Sequence, residues 1–174
     1  TFVGTASYVA GPRPDTQAAA LDGASHITLG QAISFDSSTP FSATAWINGA
    51  TQDSAILGRM RQGNGYAGWE FHVGTDLNPN GPGCLNVWLI ESFGSSYIQV
   101  NSAVPVLDES WHHVAFTYDG SGVGAGVRIY VDGADATGEA SADTLWGSIL
   151  ADDVALALGT RHNGAAHNYR GALA

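Results

Sequence analysis

The chain has 174 residues, 44% hydrophobic and 13% charged, with a formal net charge of −10. That balance fits one folded domain with a sizeable core and excludes a disordered segment, which combines low hydrophobicity with high net charge. All the basic residues are arginine, so the surface is acidic; it repels phosphate, which excludes nucleic acid as a partner, and no apolar run approaches the ~20 residues that membrane insertion of a helix needs.

Short strand-like runs recur along the chain, each closed by Gly, Asp, Asn or Pro. Residues 25–29 read as a strand before Gly30, 41–48 alternate and end at Gly49, and 55–60 form a short run. Residues 68–73 follow, then a turn-rich stretch from Gly74 to Gly83 that includes Asp76 and Leu77. The runs 84–90, 96–100, 111–118, 127–131 and 154–159 complete the set, and 143–150 reads as loop with at most one helical turn. With 23 glycines and almost no 3.6-residue periodicity, this is the pattern of an all-β sandwich or barrel. Asp119-Gly120 and Asp132-Gly133 are the strongest hairpin signals.

Alternation assigns faces. Trp69, Phe71 and Val73 share one side, as do Leu85, Val87 and Leu89, then Val114, Phe116 and Tyr118, then Val127, Ile129 and Val131. The opposite sides carry Glu70, His72, Asn86, Trp88, His113, Arg128 and Tyr130, which would make a polar and aromatic platform if their strands lay in one sheet. Trp46 and Trp111 are expected in the core.

At Trp111-His112-His113-Val114-Ala115-Phe116-Thr117-Tyr118-Asp119-Gly120, followed by Tyr130-Val131-Asp132-Gly133, the chain resembles the LamG-like jelly-roll family of the concanavalin A-like lectin/glucanase superfamily. Ala20-Leu21-Asp22-Gly23, Phe41-Ser42-Ala43-Thr44-Ala45-Trp46-Ile47 and Leu156-Ala157-Leu158-Gly159 resemble further blocks of that family in the same order. The resemblance implies an antiparallel β-sandwich spanning residues 1–174 that binds glycans or protein partners, often as an extracellular module and often with structural calcium. It also implies a first strand and a last strand that are not found here, so the chain is expected to belong to a longer polypeptide or to take a partner segment that completes the sheet.

The chemistry that the residues suggest is recognition. Hydrolysis of a glycosidic bond needs two carboxyls about 5–10 Å apart, and the Glu-x-Asp-x-x-Glu strand of the glucanase relatives is absent. Glu70 and Glu91 each lack such a partner in sequence, and Cys84 lies in an apolar run without activating neighbours. His112 and His113 are adjacent, so on a strand they point apart, while His162 and His167 are expected to face solvent. For sugar binding the candidates are Trp88, Tyr97 and Tyr130 as stacking faces, with Arg59, Glu70, His72 and Asn86 as planar polar partners. Asp22 is the candidate calcium ligand, although Ser25 and His26 stand where relatives carry a second acid and a Tyr. The expected function is a non-catalytic recognition module for carbohydrate or a protein surface, in an extracellular, periplasmic or cell-surface setting. The rival is a structural scaffold or accessory subunit without a soluble ligand, and a glycoside hydrolase ranks below both.

Overall fold

The structure, a computed structural model, describes the whole chain except Ala6, Ala32, Asp76 and Leu77, so part of the turn-rich stretch after Val73 lies outside the described residues. The strands in chain order are β1 (Phe2–Val3), β2 (Tyr8–Ala10), β3 (Gln17–Asp22), β4 (His26–Gly30) and β5 (Phe41–Asn48). Then come β6 (Ser54–Met60), β7 (Gly68–Val73), β8 (Cys84–Ser92), β9 (Ser96–Pro105) and β10 (His112–Tyr118). The last are β11 (Val127–Val131), β12 (Ala134–Asp135), β13 (Thr137–Asp143), β14 (Leu156–Leu158) and β15 (Arg170–Leu173). Among the described residues they form two antiparallel sheets, ordered β1-β4-β14-β6-β7-β8-β9-β13 and β12-β11-β10-β5-β15-β3-β2. This is the expected all-β sandwich.

The core lies between the sheets and is built by the alternation of the strands. Trp69, Phe71 and Val73 of β7 and Leu85, Val87 and Leu89 of β8 face Val114, Phe116 and Tyr118 of β10 and Val127 and Ile129 of β11. Phe41, Trp69, Phe71 and Phe116 interlock with ring centroids 5.2–5.9 Å apart, the tilted or edge-on geometry that aromatic quadrupoles prefer. Each fully buried large side chain contributes roughly 1.5–3 kcal/mol.

Two turns show how short polar sequences direct the chain. Asp132 and Gly133 both take positive φ, the pairing a two-residue type I′ hairpin requires, and they join β11 directly to β12. Asp119-Gly120 instead opens a longer loop, where the Asp119 carboxylate accepts the Ser121 N–H and the chain returns only at Gly126. Asp22 ends β3 in one sheet and His26 begins β4 in the other, so the Asp22 loop is the corner at which the chain changes sheets.

Two sequence expectations are corrected. Tyr130 and Arg128 lie on β11 and His113 on β10, all in the sheet opposite β7 and β8. The anticipated platform is therefore split across the two outer faces of the sandwich; strand alternation gives a side for each residue but not the sheet to which its strand belongs. Trp46 faces outward: Phe41, Ala45 and Ile47 point to the core, and Trp46, one residue out of phase, rests against His113 and Arg13. The segment 143–150 is loop as expected, save that its first residue ends β13.

Candidate functional site

Glu70, His72, Asn86 and Trp88 emerge from adjacent strands onto the outer face of the eight-stranded sheet, because Glu70 pairs with Trp88 and His72 with Asn86 across β7 and β8. On the far side of β8, Gln99 of β9 pairs with Trp88, and Tyr97 shares its face. Gly58, opposite Glu70 on β6, makes room for this layer: a Cβ there would stand 2.8 Å from the Trp69 carbonyl and 3.2 Å from Glu70 Cβ.

Glu70 is 1% exposed and ionised. Arg161 approaches it as a fork, with Nε 2.9 Å from Oε2 and Nη2 2.6 Å from Oε1, and His167 Nδ1–H donates to Oε1 at 2.9 Å. Burial pushes the Glu70 carboxyl up, but the His167 hydrogen bond and the Arg161 charge outweigh it and hold the group well below the usual carboxylate range. His72, also buried, is pushed down to about 3 by desolvation against the partial pull of Glu70, so its imidazole is neutral. Its Nδ1 stands 3.6 Å from Glu70 Oε1, too far for a hydrogen bond, and its Nε2 lies 3.4 Å from Asn86 Nδ2.

The buried ion pair carries an aromatic superstructure. The Arg161 guanidinium sits 5.1 Å from the Trp88 ring and 5.6 Å from the Tyr66 ring, so the cation that neutralises Glu70 also supports two aromatic faces. Phe93 extends the wall, with its centroid 5.9 Å from Trp88 and 5.2 Å from Tyr97. Two pockets share Trp88 and Phe93. One, of about 240 Å³, is lined by Gln62, Tyr66, Arg161 and His167 as well. The other, of about 280 Å³, adds Asp53, His72, Thr75, Asn78, Asn86 and Gln99. Its floor is an amide network: Asn86 Oδ1 accepts from Asn78 Nδ2 and Gln99 Nε2 at 3.2 and 3.3 Å, and Gln99 also donates to Asn101 at 3.2 Å.

The structure thus brings together five of the sequence candidates: Trp88, Glu70, His72, Asn86 and Tyr97. It does not bring Tyr130, on the other sheet, or Arg59. Arg59 pairs with core-facing Trp69, and its buried side chain donates to the carbonyls of Ile33 and Ala151 and meets Asp152 at 3.3 Å. It is a clamp on the loop before β14. Sequence reasoning missed Arg161, His167, Tyr66 and Phe93. His167, expected to face solvent, is largely buried and lines the first pocket, because the loop after β14 folds back over the sheet. Gln99 carried a legible signal, since it alternates with Ile98 and Val100 of the core.

Asp22 fits calcium poorly. Its Oδ1 accepts from the N–H groups of Ala24 and Ser25 and from the Ser25 hydroxyl, at 2.8–2.9 Å. The Ala24 bond leads these in lowering the carboxyl to about 2. Calcium needs six to eight oxygen ligands, and at this corner Asp22 Oδ1 is already taken by three donors.

The sequence profile of the Laminin_G_3 family, described as the concanavalin A-like lectin/glucanases superfamily, matches residues 21–174. The chain belongs to that family. Among solved structures it is similar to domain 4 of AbnA, a GH43 extracellular arabinanase from Geobacillus stearothermophilus, in complex with arabinotriose. The TM-score is 0.62 at 20% identity, covering 98% of this chain and 73% of that one, a likeness of fold. A comparison with curated proteins gives no match. Among the described residues no helix is long and apolar enough to cross a membrane.

Proposed function

We propose that this domain is a non-catalytic carbohydrate-recognition module of a larger extracytoplasmic protein, with its binding groove on the outer face of the eight-stranded sheet. The observation that carries the reading is the wall of Trp88 and Phe93 shared by two pockets whose remaining sides are planar polar groups. Aromatic faces suit the apolar side of a sugar ring, and the amides and guanidinium suit its hydroxyls. The structural neighbour was solved with arabinotriose, which makes short arabinan oligosaccharides the first ligands to try.

A hydrolase is disfavoured by Glu70 itself. Both its oxygens are bonded to Arg161 or His167, and its acidity is the reverse of what a general acid needs at neutral pH. The test is calorimetric titration with arabinotriose and a panel of plant and bacterial oligosaccharides. One class is expected to bind, and Trp88→Ala to weaken it at least about tenfold, or 1.4 kcal/mol. No binding across the panel, or affinity untouched by both Trp88→Ala and Phe93→Ala, would overturn the assignment. So would release of reducing sugar that Glu70→Gln abolishes.

A further inference from the structure

Beside the aromatic wall, three side chains converge around the buried Glu70 carboxylate. Asp53, His72 and His167 each offer a ligand atom, and these atoms lie within 4.8 Å of one another. Their backbones are pinned at one residue: Ala55 pairs with His72 across β6 and β7, its N–H donates to the His167 carbonyl at 2.8 Å, and Asp53 precedes it by two positions. Asp53 and His167 both hold left-handed φ, 59° and 50°, so neither side chain reaches the cluster by a relaxed extended backbone.

The hydrogen bonds fix the chemistry. His167 Nδ1–H donates to Glu70, which leaves the ring's other nitrogen, Nε2, turned toward Asp53 Oδ1 at 3.2 Å. A lone pair and a carboxylate oxygen at that distance repel unless a hydrogen or a cation lies between them. His72 adds a buried ring whose Nδ1 stands 3.6 Å from Glu70 Oε1, beyond hydrogen-bond distance, and whose Nε2 has only a long 3.4 Å contact with Asn86 Nδ2. Glu70 behind His167 is the carboxylate–histidine pairing that orients metal-binding imidazoles and raises their basicity.

We infer that Asp53, His72 and His167 form a site for a divalent transition-metal ion, zinc by preference. Two imidazoles and one carboxylate select zinc and its neighbours over calcium or magnesium, which take all-oxygen sites. Ligand atoms on a tetrahedral zinc stand about 3.4 Å apart, so the Asp53–His167 spacing already fits and the third ligand closes by a small shift. Asp53 and His72 both line the pocket that contains Trp88 and Phe93, so the remaining coordination position would open into the groove. The site stands whether or not the groove binds sugar.

Protein freed of metal by a chelator would be titrated with zinc by calorimetry at neutral pH, and with cobalt while the visible absorption is recorded. One equivalent of zinc and the intense visible bands of low-coordinate cobalt are expected. Asp53→Asn and His167→Gln should each weaken zinc at least about tenfold. Asp53 is half exposed and its replacement spares the Glu70 pair, so it keeps the test decisive if His167→Gln destabilises the fold. No zinc uptake would show that His167 instead bridges Asp53 and Glu70 as a doubly protonated ring. Uptake unchanged by both substitutions would place the ion elsewhere, for instance at His112 between Asp108 and Asp132. Either result overturns the inference.

Discussion

Arg161→Gln is the most informative single change, because Arg161 joins the stability of the domain to the shape of its groove. Glu70 is 1% and Arg161 4% exposed, and the fork between them closes at 2.6 and 2.9 Å. Removing the cation leaves a carboxylate buried with only His167 to answer it. Deleting one partner of such a pair costs about 3–5 kcal/mol, a large part of a domain's ~5–15 kcal/mol. For a chain of this length that corresponds to a melting point lower by roughly 6–20 °C. The cost should depend on pH in a definite direction. In the native protein the Glu70 pKa is depressed, so its stabilising contribution is present above the unfolded carboxyl pKa and fades as pH falls. In the variant the same carboxyl is buried without its cation and its pKa rises, so it can relieve the strain by taking a proton. The gap between the two proteins should therefore be widest near about pH 8 and narrow toward about pH 5. Urea denaturation of Arg161→Gln, Glu70→Gln and the double change Glu70→Gln/Arg161→Gln measures all of this. A loss under about 1 kcal/mol, a gap independent of pH, or single effects that simply add in the double variant would each refute the reasoning.

Further outcomes follow from other parts of the structure. His72 stays neutral down to about pH 3 while the unfolded chain protonates near 6.5, so its share of stability is present above 6.5 and lost as pH falls. It should give a slope of about 1.4 kcal/mol per pH unit between about pH 5.5 and 4.5, steepened by His26 in the same direction; a flat denaturation profile there would contradict it. Gly68→Ala should cost about 3 kcal/mol or more, because at φ 135° the new Cβ would lie 2.1 Å from the Arg59 carbonyl and 2.6 Å from Met60 Cα. A variant within about 1 kcal/mol of the parent in urea would show that the backbone yields there. Asp132→Ala removes the acceptor of the His113 N–H and of His112, and should lower stability by about 1–2 kcal/mol in the same assay without affecting ligand binding in the groove.

The sandwich was legible because its strands obey a local rule. In β7, β8, β10 and β11 alternate side chains enter the core, and the runs at 41–48, 68–73 and 127–131 match strand limits to the residue. The strands that escaped notice lack that contrast. β13 reads Thr-Gly-Glu-Ala-Ser-Ala-Asp, mostly exposed at a sheet edge and shifted in register against β9, and β3 presents alanines where no polar residue marks an outer face. Trp46 was misplaced because its size outweighed its phase.

The site was half legible, for a physical reason that its residues make plain. Glu70, His72, Asn86, Trp88 and Tyr97 sit on strands, so alternation alone lifts them to one face. Their partners Arg161 and His167 lie 91 and 97 residues from Glu70 in sequence, on a loop whose course no period describes. A buried carboxylate in an outward-facing strand position is nonetheless a constraint that can be read forward. Glu70 cannot stay ionised under a covering layer without a cation and hydrogen-bond donors. With no lysine in the chain, the cation had to be one of six arginines. Arg59 is spent on backbone carbonyls, Arg61 pairs with Asp153 at 2.6 Å, Arg13 lies over Trp46, and Arg128 and Arg170 lie on the opposite sheet, which leaves Arg161. The folding of the loop after β14 is thus tied to the charge of one strand residue, and the aromatic wall over Arg161 depends on that charge being kept.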